Sequence, residues 1–170
     1  MKKYLLFFFV LVLVSNVALG QTADQLLVKA KSEAKADGKN ILLIFHASWC
    51  GWCKKFEKGL DSSLVKPFFD DNYVRVHITV KESAQNKDLE TVGGDKYLKQ
   101  FGGADSGLPY WVILNDEGEL IASSVVEGGN LGCPASEEEV DAFIGVLKKT
   151  TKNASVNERL IKEVFVIKNR

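Results

Sequence analysis

The sequence predicts an α/β chain in which helices cover both faces of a central mixed β-sheet and a helix precedes the first strand. Three observations carry that prediction. Ile41–Phe45 (ILLIF) is short and wholly apolar, as a strand covered on both faces must be. Tyr73–Val80 (YVRVHITV) alternates like a second strand and follows a helical pattern, which makes a strand–helix–strand unit. Pro109–Leu114 and Leu120–Val126 flank the turn Asn115–Gly118 (NDEG), the signature of an antiparallel hairpin.

The elements follow in order. Asp24–Gly38 places Leu26, Leu27, Ala30 and Ala34 at helical spacing among lysines, with Gly38 as a C-cap. After the first strand, helical periodicity runs from Cys53 to about Phe69 through Phe56, Leu60, Leu64 and Phe68, and Asn72 ends it. Residues 81–94 are polar and fit no pattern. Asp95–Phe101 (DKYLKQF) reads as a short helix stopped by Gly102-Gly103. Ser136–Glu139 (SEEE) is a capping box opening a helix whose inner face is Val140, Phe143, Ile144 and Leu147. A terminal helix is expected after Ser155.

The chain has 170 residues, with 22 basic against 22 acidic side chains. One domain is expected, and nothing in the charge balance points to nucleic acid. The first twenty residues read as a secretory leader: Lys2 and Lys3, then the apolar run Tyr4–Val14, then small residues at Ala18 and Gly20. The apolar run is shorter than the ~20 residues that a membrane-spanning helix needs. Cleavage before Gln21 leaves a mature chain expected in the periplasm or outside the cell. Residues 21–150 then form the domain, and 151–170 a C-terminal extension.

Export places the cysteines in an oxidising compartment. Cys50, Cys53 and Cys133 are three, whereas a disulfide framework wants an even count at wider spacings. The close pair therefore reads as redox-active. Cys133, in Gly132-Cys133-Pro134, reads as an unpaired loop thiol or a third redox partner.

Trp49-Cys50-Gly51-Trp52-Cys53-Lys54 directly after a buried strand, Gly107-Leu108-Pro109 opening the hairpin, and the Gly118 turn together resemble the thioredoxin superfamily over about Asp24–Thr150. Similarity is greatest to exported bacterial members that begin with a helix in place of the first strand. The resemblance implies a thioredoxin-like fold and a cis bond before Pro109, with the Leu108 backbone exposed for a substrate segment to pair with. It also implies a thiol–disulfide oxidoreductase that reduces other exported proteins, re-reduced by a membrane thiol-electron donor. No cofactor or metal is called for, and a monomer is expected.

Chemistry supports the same site. At the start of a helix, free amides and the dipole favour a thiolate, so Cys50 is the expected nucleophile. Cys53, one turn on, is placed to resolve a mixed disulfide. Gly51 is expected to permit a tight helix start, and Trp49 to border the site. Trp52 stands where thioredoxins proper carry proline, which leaves the potential open. Ile44 occupies the place of their buried acid, so Glu57, at i+4 from Cys53, and His46 are the candidates for moving the proton of Cys53. Two other readings remain: a redox-inert module holding peptide beside Pro109, and a metal or cluster binder using the cysteines with His46 or His77. One C-x-x-C is poor zinc spacing, and haem attachment would want histidine at Lys54.

Overall fold

A computed structural model describes residues 20–167. The expected leader lies outside the described residues, apart from Gly20. No helix among the described residues is long and apolar enough to cross a membrane.

The first helix, α1 (Ala23–Asp37), opens with a capping box. Thr22 Oγ1 accepts the Gln25 amide while the Gln25 side chain accepts the Thr22 amide. The T-x-x-Q pattern at Thr22–Gln25 is the local sequence signal for this helix start. Gly38 closes the helix in the left-handed region at φ 65°, where glycine carries no Cβ penalty. Then come β1 (Asn40–His46), α2 (Gly51–Leu60), α3 (Lys66–Asn72) and β2 (Tyr73–Thr79). A 3₁₀ segment (Ala84–Leu89) and α4 (Gly94–Gln100) lead to β3 (Tyr110–Leu114) and β4 (Leu120–Ser123). A two-residue ribbon, β5 (Val125–Val126) with β6 (Gly129–Asn130), precedes α5 (Glu137–Thr150) and α6 (Glu158–Phe165).

The sheet order is β2-β1-β3-β4. β1 pairs in parallel with β2 and antiparallel with β3, the mixed arrangement expected from a crossover followed by a hairpin. Ile41, Leu43 and Phe45 face the core beneath α1 and α4, with Leu27, Ala30 and Leu98. Leu42 and Ile44 face the other core, with Phe56, Trp111, Phe143 and Phe165. A strand between two cores explains why the Ile41–Phe45 run is apolar at every position.

Two expectations need correction. The single helix from Cys53 to Phe69 is two helices. Pro67 lacks the N–H and clashes with the preceding turn inside a helix, but it is accommodated in the first turn of one. The chain therefore ends α2 at Leu60 and restarts at Lys66, which leaves Leu64 exposed and buries Val65. The second hairpin strand also stops early. Ser124 is fully buried; its amide donates to the Trp111 carbonyl at 2.8 Å, and its hydroxyl accepts the Trp111 amide at 3.1 Å. A side chain has entered the ladder there, and the strand cannot continue.

The terminal stretch packs as part of the body. α6 buries Ile161 and Phe165 in the core that holds α5. The Phe165 ring lies so close to α2 that a Cβ at Gly59 would meet it at 2.6 Å. Asn72, fully buried, ties the preceding loop down: its Oδ1 accepts the amides of Lys152, Asn153 and Ala154 at 2.9–3.2 Å. A buried side-chain amide satisfied in this way fixes the chain path at low cost.

Candidate active site

β1 ends at His46 and the chain turns through Ala47-Ser48-Trp49, closed by the Cys50 amide donating to the Ala47 carbonyl at 3.1 Å. Cys50 is the N-cap of α2, with extended backbone, and its Sγ accepts the Cys53 amide at 3.1 Å. Sulfur thus occupies the position that a serine or aspartate oxygen takes in an ordinary cap. Cys50 and Cys53 are joined, S–S 1.98 Å, with Cα atoms 5.3 Å apart. Their residues are 3% and 7% exposed and pack with Ala47 and the partly buried Leu108.

The register Phe45↔Tyr110 brings the start of β3 beside the end of β1. The Leu108–Pro109 bond immediately before it is cis. That segment is held from both sides. Lys81 Nζ donates to the carbonyls of Ala104 and Ser106 at 2.8 Å. Asn130 Nδ2 donates to those of Gly107 at 2.9 Å and Pro109 at 3.1 Å. Trp49 and Trp52 stand exposed beside the disulfide. The Trp49 indole N–H donates to the Lys81 carbonyl at 2.9 Å, and Lys55 Nζ sits 4.8 Å from the centre of the Trp52 ring. Gly51 departs from expectation. A Cβ there would meet nothing within 4 Å and its φ lies outside the left-handed region, so the helix start does not demand glycine.

Glu57 and His46 fall on one polar line beneath α2. The register pairs Leu42 with Arg75, Ile44 with His77 and His46 with Thr79, all on the α2 side. Glu57 bonds His77 at 2.8 Å and Arg75 at 3.3 Å, and Arg75 also meets Asp61 at 2.9 Å. His46 lies edge-on to His77, ring centres 5.7 Å apart, with Nε2 3.4 Å from Thr79 Oγ1. Burial foremost, and then the neighbouring His77, hold His46 below the usual histidine range, against the opposing pull of Glu57 and Glu82. Cys133 is unpaired, and burial pushes its thiol up to about 11, which makes it a poor nucleophile at neutral pH. Among the described residues, no three histidine, cysteine or acidic side chains gather as a metal site.

Sequence reasoning missed Glu82 and Lys81. Both lie in the polar stretch that fits no local pattern, and their partners are more than twenty residues away. No periodicity signal exists for such contacts.

A family model described as thioredoxin-like matches residues 22–115, more than half of the chain. The chain belongs to the thioredoxin-like family. It is 56% identical over 102 residues to the thiol:disulfide interchange protein DsbD of Vibrio cholerae serotype O1. That match covers 60% of this chain and only 16% of the relative's length. Among solved structures, a disulphide isomerase from Xylella fastidiosa Temecula1 overlays with TM-score 0.48 at 23% identity, covering 58% of this chain and 70% of that one. The C-terminal domain of Neisseria meningitidis DsbD, oxidised form, overlays with TM-score 0.42 at 23% identity, covering 61% of this chain and 84% of that one. The Cys50–Cys53 pair thus lies within the thioredoxin-like region of the chain, which spans only a small part of that relative's length.

Proposed function

We propose that this thioredoxin-like chain is exported, remains in the periplasm or outside the cell as a monomer, and reduces disulfides in other exported proteins. The single observation that carries the reading is the Cys50–Cys53 pair at the start of α2, with the Cys50 sulfur already accepting an α2 amide. Once reduced, Cys50 as thiolate attacks one sulfur of a substrate disulfide and expels the other as a thiolate, which takes up a proton. A mixed disulfide joins Cys50 to the substrate. Cys53 loses its proton and attacks Cys50 Sγ, forming the Cys50–Cys53 bond and freeing the second substrate sulfur. Two electrons have passed to the substrate, and a membrane thiol-electron donor returns them. The likeness to a thiol:disulfide interchange protein supports that donor, and the leader-like residues 1–20 support export.

Leu108 and Pro109 form one wall of the groove in this reading, with Trp49, Gly51 and Trp52 the other, so a substrate strand lies across the disulfide. Equilibration with glutathione tests the direction of transfer. A couple near the reducing end of the family, about −270 mV, is expected. A value near −120 mV would make the chain an oxidant instead.

In this scheme the proton of Cys53 goes to Glu57, at i+4 on the same helix, or to His46 at the end of β1. His46, neutral because it is buried, is ready to accept; at a pH low enough to protonate it, release slows. Glu57→Gln is expected to slow release of substrate from the mixed disulfide several-fold while the first attack keeps its rate. Rapid-quench measurement separates the two steps, and unchanged release removes Glu57 from the route.

A further inference from the structure

Glu82 is the one charged side chain buried among the described residues, only 5% exposed, and it forms no ion pair there. Charged groups are rarely buried without a partner charge, because the loss of hydration is large. Its surroundings show what holds it. One carboxylate oxygen accepts the Ser48 amide, and the other accepts the Ser48 hydroxyl at 2.8 Å. Ser48 thus engages both carboxyl oxygens, one through its amide and the other through its hydroxyl. Its own amide donates to Glu90 at 2.8 Å, and Glu90 is neutralised by Lys87 at 2.6 Å.

Ser48 lies within the Ala47–Cys50 turn, two residues before the N-cap sulfur. Glu82 therefore fixes the backbone that presents Cys50, and it places a negative charge behind that backbone. We propose that Glu82 is a positioning residue for the Cys50/Cys53 couple: its carboxylate holds the turn through Ser48, and its charge disfavours the Cys50 thiolate, making the couple more reducing. A nearby anion destabilises a thiolate, and a less stable reduced form lowers the potential. Burial limits screening by salt. The inference rests on the proposed redox role of Cys50 and Cys53.

The test is the equilibrium of the full chain with glutathione, wild type against Glu82→Gln. Glutamine keeps both contacts, since its amide oxygen can accept the Ser48 N–H and its amide nitrogen can donate to the Ser48 hydroxyl; only the charge is lost. The equilibrium is expected to move toward the dithiol by about three- to tenfold, tenfold corresponding to about 30 mV. A purely structural Glu82 leaves the equilibrium where it was, and that result overturns the inference. Should the glutamine variant fail to fold, Glu82→Asp withdraws the charge by one methylene and is expected to shift the equilibrium the same way by about twofold. An unshifted aspartate variant then overturns it. A wild-type pair that stays oxidised even in excess dithiothreitol overturns the functional reading and this inference with it. A wild-type couple that exchanges, unchanged by either variant, overturns this inference alone.

Discussion

Cys50→Ser is expected to reduce disulfide exchange by about a thousandfold or more, the scale on which losing a nucleophile acts. A serine hydroxyl at the same N-cap still accepts the Cys53 amide, so the helix start keeps its hydrogen bond and the fold should survive. What disappears is the one sulfur placed to attack. Cys53→Ala makes the opposite change: the first attack continues and the second stops. That variant is expected to accumulate mixed disulfides through Cys50, and mass spectrometry of the trapped species names the substrates. Cys133 should not compete, because burial keeps its thiol protonated at neutral pH. Trapping that persists in Cys50→Ser would assign the attack to another sulfur and contradict the scheme.

Much of this architecture was legible because it is written in local pattern. The apolar Ile41–Phe45 run, the Ser136–Glu139 box and the Gly38 cap each report on the next few residues, and the structure places each accordingly. The cysteine pair was legible for a different reason: a strand feeding a helix fixes where its first residues lie. The break between α2 and α3 was available too, since Pro67 forbids a continuous helix, but the apolar spacing through Leu60 and Phe68 concealed it. Glu82, Lys81 and Asn130 could not be read. Each acts on backbone far away in the chain, so its meaning exists only after the sheet has assembled. The polar line of Arg75, His77 and Glu57 is intermediate: the strand alternation was visible, and the helix lying over it was not.

The groove combines rigid and bare parts in a way that bears on substrate choice. Trp49 is tethered through its indole N–H, whereas the exposed Trp52 carries the Lys55 ammonium over its ring. The segment leading to Pro109 is pinned by Lys81 and Asn130. In the proposed reading, a substrate strand pairing with Leu108 would meet a backbone pinned by Lys81 and Asn130 and an exposed Trp52 ring.

The whole scheme turns on whether the reduced chain carries a sulfur anion at residue 50 under working conditions. Free cysteine titrates near 8.5, and cysteines at helix starts fall to about 3.5–7.5. Alkylation of the reduced Cys53→Ala, Cys133→Ser variant by iodoacetamide, followed from pH 4 to pH 10, reads that titration at Cys50 alone. A midpoint below about 7.5, with alkylation at pH 7 several times faster than for an ordinary thiol, is the predicted result. A midpoint at or above about 8.5 would mean that the amide end of α2 does not stabilise the anion, and Cys50 would lose its part as the attacking group.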